Sequence, residues 1–93
     1  VRESDIEGYF TKRVKALGGE VRKLRWIGRR GAPDRLAFVP RGDKWLVLWV
    51  EFKAPGKKPT ILQEREHARL RKAGQAVAVI DSMLGVDMIL GKP

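Results

Sequence analysis

Asp34 follows the turn Gly31-Ala32-Pro33, and Glu51-Phe52-Lys53 closes an apolar run seventeen residues further on. Two carboxylates and a lysine are suitable parts for a metal-assisted hydrolytic site. The carboxylates are hard oxygen ligands for Mg²⁺, which keeps several of its waters and demands near-octahedral geometry at roughly 2.0–2.1 Å. Such a cation makes a water a better nucleophile and screens charge on a phosphate. Lys53, two residues from Glu51, would hold the attacking water or stabilise developing negative charge. The alternative is an ordinary surface strand end, with Glu51 and Lys53 as an ion pair and Asp34 as a turn residue.

Whether the three side chains meet depends on two strands. Asp34 to Val39 reads as one, Pro40-Arg41-Gly42-Asp43 as a tight connection, and Lys44 to Lys53 as the next. The centre of the longer strand, Leu46-Val47-Leu48-Trp49-Val50, is apolar on both faces and belongs in a sheet interior. With Val39 opposite Lys44, Asp34 lies opposite Trp49, and Asp34, Glu51 and Lys53 share one face at one end of the hairpin. Asp34 and Glu51 are then diagonal neighbours, roughly 7–8 Å apart. A slip of one residue would put them on opposite faces.

The elements around this hairpin are legible from their punctuation. Ser4-Asp5-Ile6-Glu7 matches a capping box, and Ile6, Phe10, Val14 and Leu17 follow at helical spacing. Gly18-Gly19 ends that helix by a left-handed exit. Glu20 to Trp26 reads as an edge strand with Leu24 and Trp26 on one face. Gly28 to Pro33 is a loop, as is Ala54 to Pro59. Thr60-Ile61-Leu62-Gln63 is a second capping box, opening a helix that ends near Gly74. Ala-Val-Ala-Val-Ile within Gln75 to Asp81 reads as a buried strand, and the residues from Ser82 as a short helix or irregular cap. The order is αβββαβ with a weak C-terminal helix. The expected fold class is therefore α/β, a mixed β-sheet flanked by helices in one domain spanning residues 1–93.

Composition narrows the chemistry. Twenty Lys and Arg against 11 Asp and Glu leave a formal charge of +9, which favours a polyanionic partner and nucleic acid above all. There are no cysteines and only one histidine, so thiolate chemistry, disulfides and Cys- or His-rich zinc sites are excluded. Oxygen ligands favour Mg²⁺ or Mn²⁺. The longest apolar run, Trp45 to Val50, is far too short to span a bilayer, and no secretory signal pattern opens the sequence. The expected setting is the cytoplasm of a bacterial or phage-infected cell, with no membrane partner. A domain this small gains stability by pairing, so a homodimer is expected.

Gly31-Ala32-Pro33-Asp34, then Glu51-Phe52-Lys53-Ala54-Pro55-Gly56-Lys57, then Gln63, resembles the VRR-NUC (virus-type replication-repair nuclease) family. That family is a branch of the PD-(D/E)XK nucleases, and the resemblance covers nearly the whole chain. It implies a restriction-endonuclease-like core and a Mg²⁺- or Mn²⁺-dependent phosphodiesterase site. On this resemblance Asp34 and Glu51 are metal ligands and Lys53 the catalytic lysine. Glu7 resembles the first-helix acidic ligand, with Glu3 one turn earlier as its substitute, and Gln63 the glutamine that opens the helix after the catalytic strand. Glu7 and Gln63 each also sit third in a capping box, which explains them equally well. Lys23 matches a basic position of the family on the first strand, and a solvated edge charge explains it as readily.

Arg29-Arg30 lead into Asp34 and Lys57-Lys58 follow Lys53, so both pairs are expected to grip phosphates beside a scissile bond. Lys12, Arg13 and Lys15, like Arg65, Arg69 and Lys72, read as solvated helix faces. His67, one turn beyond Gln63, is expected at the surface or facing DNA. Stand-alone members of the family resemble Holliday-junction resolvases, which implies a DNA endonuclease selective for branched DNA such as four-way junctions. The alternative from another class is a non-catalytic basic nucleic-acid-binding module.

Overall fold

A computed structural model describes all 93 residues. The elements run α1 (Glu3–Ala16), β1 (Glu20–Lys23), β2 (Arg35–Arg41), β3 (Lys44–Phe52), α2 (Ile61–Lys72), β4 (Ala76–Ile80) and α3 (Met83–Leu90). The four strands form one sheet in the order β1-β2-β3-β4. β1 and β2 are antiparallel, as are β2 and β3, whereas β4 lies parallel to β3. The expected mixed α/β sheet is the one observed. A parallel neighbour requires a crossover, and α2 is the crossover between β3 and β4.

Strand alternation divides the sheet into two unlike faces. Ala37 and Val39 of β2 and Leu48, Val50 and Phe52 of β3 are buried on one of them. They meet Ile6, Phe10 and Val14 of α1, Ile80 of β4, and Val86 and Leu90 of α3 in a single core. The helical spacing read from α1 is therefore its core-facing stripe. Phe10 packs edge-on against Phe52 with ring centroids 5.4 Å apart. Arg13 is buried rather than solvated: it holds Asp87 at 2.6 Å and the Gly91 carbonyl at 2.7 Å, tying α1 to α3. A charge this deep is retained because its partners satisfy it.

The hairpin between β2 and β3 differs from expectation in a way that matters. Arg41 pairs with Lys44, leaving the two-residue turn Gly42-Asp43, and Val39 pairs with Leu46 rather than Lys44. Gly42 has φ +63°, the left-handed conformation that a tight hairpin wants at its first central residue. Pro40 is absorbed into β2 because it lies past the end of β1, where the missing N–H breaks no ladder on that side. The pairing has slid by two residues, and an even slide leaves every side chain on its expected face.

Three other expectations are corrected. β4 is an edge strand, and of its residues only Ile80 is buried, because nothing pairs with its outer side. β3 is internal as expected, yet the beginning of its second face is open: Trp45 is 60% and Val47 40% exposed. The helix α2 reaches only the other end of that face. Helix α1 begins two residues earlier than its capping box implied, with Arg2 rather than Ser4 as N-cap and Asp5 accepting the Arg2 N–H at 2.8 Å. Glu7 therefore has no capping role. Truncating Phe10 to alanine, at the centre of the only core, should cost about 3–5 kcal/mol of unfolding free energy in urea titrations.

Candidate active site

One step beyond the Arg35–Val50 pair, the register sets Asp34 directly opposite Glu51. They are closer than the diagonal neighbours expected, since opposed Cβ atoms lie roughly 4.5–5.5 Å apart. Val50 and Phe52 point into the α1 core, so Glu51 and Lys53 point to the opposite face, toward α2. The Asp34 carbonyl accepts the Leu24 N–H at 2.7 Å, and the Lys53 N–H donates to the Ile80 carbonyl at 2.9 Å. Both site-bearing strand ends are thus fixed by main-chain bonds past their assigned limits.

Glu51 is the electrostatic centre of this end of the sheet. Its side chain is 13% exposed. Burial, with Asp34 and Glu3 adding to it against the opposing fields of Lys53 and Arg35, raises its pKa from 4.5 to about 7. A carboxylate placed where ionisation is this costly is poised for a cation. The first-helix acid whose charge reaches Glu51 is Glu3, whereas Glu7 is engaged elsewhere. Both Arg35 Nε and Nη2 bind Glu7 Oε2, at 3.1 and 2.9 Å, and Arg35 Nη1 reaches Asp34 Oδ1 at 3.0 Å. Arg35 therefore links Glu7 to the back of the site.

Asp34 and Glu51 offer two hard oxygen donors on adjacent strands, the donor set Mg²⁺ or Mn²⁺ takes when waters and substrate phosphates complete its shell. No three histidine or acidic side chains converge into an all-protein cage. The buried, high-pKa Glu51 beside a second carboxylate fits a divalent cation, and these two residues would hold it.

The other residues singled out by sequence fall into two groups. Gln63 completes its capping box: its N–H donates to Thr60 Oγ1 at 3.2 Å, and its Oε1 accepts the Thr60 N–H at 2.9 Å. Its side-chain NH₂ makes no hydrogen bond within the protein. Arg30, Lys57 and Lys58 are exposed in the loops on either side of the strand ends, and Lys23 is exposed on edge strand β1. Arg29 is not a free phosphate ligand. It binds Glu66 Oε1 at 2.9 Å, and Arg69 takes the other oxygen of the same carboxylate at 2.8 Å. Those two arginines hold the Glu66 carboxyl below its usual range.

The loop before Asp34 is thereby latched onto α2. A second contact reinforces it: Gly31 has φ +80°, and a Cβ there would lie 2.6 Å from the Leu62 carbonyl oxygen. Only glycine allows the loop this close to the first turn of α2. Trp26 closes the loop from the other end, donating its indole N–H to the Pro33 carbonyl at 2.7 Å.

His67 departs most from its expectation. It is buried, 1% exposed, with Nε2 3.8 Å from Glu51 Oε1. Burial, with Arg71 and Lys53 nearby, lowers its pKa and favours the neutral ring. The signal for it in the sequence was its position one helical turn after Gln63, and for Arg35 its place next to Asp34. Glu66 gave no signal beyond its charge.

A four-stranded mixed sheet with paired carboxylates and a lysine at the end of its central hairpin defines a nuclease-type α/β domain. Comparison with known proteins gives this class a family. A solved VRR_NUC domain superposes with a TM-score of 0.82 and 44% identity, covering 95% of this chain and 92% of its own. "Putative nuclease p44" of Acyrthosiphon pisum secondary endosymbiont phage 1 is 48% identical over 82 residues, 88% of this chain and 85% of the relative. No protein-family model matches the sequence. The chain belongs to the VRR-NUC family.

The raised pKa of Glu51 has a consequence for stability. Between about pH 4.5 and 7 the folded protein binds more protons at this site than the unfolded chain, so the contribution of Glu51 falls as pH rises through that window. Glu51→Gln removes the penalty. Denaturant titrations should show the variant more stable than the parent by roughly 2–3 kcal/mol at pH 8, with the difference disappearing below pH 4.5.

Proposed function

We propose that this protein is a metal-dependent DNA endonuclease that hydrolyses phosphodiester bonds, with a preference for branched DNA such as four-way junctions. The observation that carries the reading is Glu51, desolvated at a strand end and directly opposed to Asp34, with Lys53 on the same face. Membership of the VRR-NUC family and nine excess positive charges support it. A bound Mg²⁺ or Mn²⁺ would supply Lewis acidity and an activated water.

The chain's own residues do the rest. Asp34 and Glu51 provide the anionic oxygens, and Lys53 places its ammonium where the attacking water and the developing phosphorane charge lie. The Gln63 side-chain NH₂, held at the first turn of α2 by the cap, is a donor for a phosphate or a water. Arg30, Lys57 and Lys58 bind phosphates flanking the scissile bond, and Lys23 extends the track along β1. Arg29 contributes by holding its loop in place. Glu7 supports Asp34 through Arg35, and Glu3 is the first-helix carboxylate nearer in its influence to Glu51.

Branched-DNA selectivity is carried over from the resemblance of members of the family to junction resolvases. A junction offers two symmetry-related scissile strands, which a homodimer matches. Exposed Trp45, Val47, Leu84 and Met88 are candidates for the dimer surface. No helix is long and apolar enough to cross a membrane. The setting proposed is the cytoplasm of a bacterial or phage-infected cell.

Labelled four-way junction, flap and linear duplex incubated with and without Mn²⁺ test the reading. Cutting should require the metal and favour the junction. Glu51→Ala and Lys53→Ala should each lower the rate by roughly 100-fold or more while junction binding is retained. Binding without any metal-dependent cutting would instead identify a non-catalytic basic module. Binding should also weaken steeply with salt, and Lys57→Ala with Lys58→Ala should flatten that slope by about two counterions. Light scattering should give twice the monomer mass; a monomeric mass at micromolar concentration would contradict the dimer.

A further inference from the structure

His67 is the one buried polar side chain to which the chemistry above gives no role. Its Nε2 is enclosed by protein and has no hydrogen-bond partner. Buried polar atoms in folded proteins are nearly always paired, because stripping one of water without replacement is costly. An apolar side chain in the same place would avoid that cost.

The orphaned atom faces a particular neighbour. The only acidic oxygen within ion-pair reach is Glu51 Oε1 at 3.8 Å, less than an ångström beyond a hydrogen bond. The helix that carries His67 is fixed on both sides. The Thr60–Gln63 cap and the close approach of Gly31 hold its first turn, and Arg29 and Arg69 clamp Glu66, the residue next to His67. The ring cannot drift away from Glu51 without disturbing these contacts, whereas a small rotation of the Glu51 side chain closes the gap.

We infer that His67 is a positioning residue for Glu51, whose carboxylate its Nε2–H orients by hydrogen bonding so that the second oxygen faces Asp34. A carboxylate with two equivalent oxygens and a free terminal torsion has no reason to present one of them to a cation. A donor fixed behind it removes that freedom. Hydrogen-bonded partners behind ligating side chains commonly tune metal affinity by 10–100-fold. The inference rests on the reading of Asp34 and Glu51 as metal ligands, but the hydrogen bond it calls for needs no metal to form.

Long-range ¹⁵N–¹H spectra of the metal-free parent test that bond directly. The His67 ring should be the Nε2–H tautomer, and Glu51→Gln should shift its ¹⁵Nε2 resonance. An Nδ1–H tautomer, or a resonance indifferent to Glu51→Gln, overturns the inference. Mn²⁺ titrations followed by electron paramagnetic resonance test its consequence. His67→Phe should weaken binding by roughly 10–100-fold and lower kcat for junction cutting without changing KM. His67→Gln, which restores an N–H near the same position, should recover most of the affinity. Equal loss in the Phe and Gln variants, or parental affinity in His67→Phe, also overturns it. A parent that binds no Mn²⁺ sinks the nuclease reading instead, and the imidazole spectra then decide the His67–Glu51 hydrogen bond alone.

Discussion

A carboxylate held largely out of water, against another carboxylate on the neighbouring strand, is the constraint around which this small domain is arranged. Folding alone would not choose such a placement, since Glu51 loses hydration and meets added repulsion from Asp34 and Glu3. The Lys53 and Arg35 charges relieve it only in part. The domain tolerates the cost because its core lies on the other face of the sheet, where α1 and α3 bury eleven apolar residues and leave no polar compromise except the satisfied Arg13. Stability and chemistry are separated by the thickness of one sheet.

The separation makes α2 a different kind of helix from α1. Its buried residues are Glu66 and His67, not an apolar stripe. What docks it is polar: a capping box at its start, a glycine-enforced backbone approach, and a carboxylate shared by Arg29 and Arg69. Polar docking is directional, so the helix is placed in register with the strand end rather than merely pressed onto it. The same contacts carry the Gly28–Pro33 loop and, through it, Asp34. Loop, helix and strand end behave as one assembly built around Glu51.

Much of this was legible in the residue order. The hairpin, the Thr60–Gln63 capping box, the left-handed exit at Gly18 and the mixed sheet follow from periodicity and punctuation, and the shared face of Asp34, Glu51 and Lys53 follows from strand alternation. What was not legible depended on tertiary partners. A sequence shows that Arg29 is basic and beside a candidate site, but not that Glu66, thirty-seven residues away, will claim it. The same holds for Arg13 with Asp87 and for Glu7 with Arg35. His67 looked like surface because a lone histidine in a charged helix usually is. β4 looked buried from its apolar run, since composition cannot show whether a further strand will pair with its outer side.

The two-residue turn at Gly42-Asp43 lies at the far end of the hairpin from the carboxylates, yet it governs them by parity. Lengthening or shortening the connection in steps of two merely slides one strand along the other and preserves both faces. A single inserted or deleted residue that shifted the pairing would turn the Asp34 side of β2 toward the core and Arg35 outward, dissolving the site while leaving a plausible hairpin. The loop is therefore free to change length wherever the strand pairing itself is kept, and what the site cannot survive is an odd shift of that pairing.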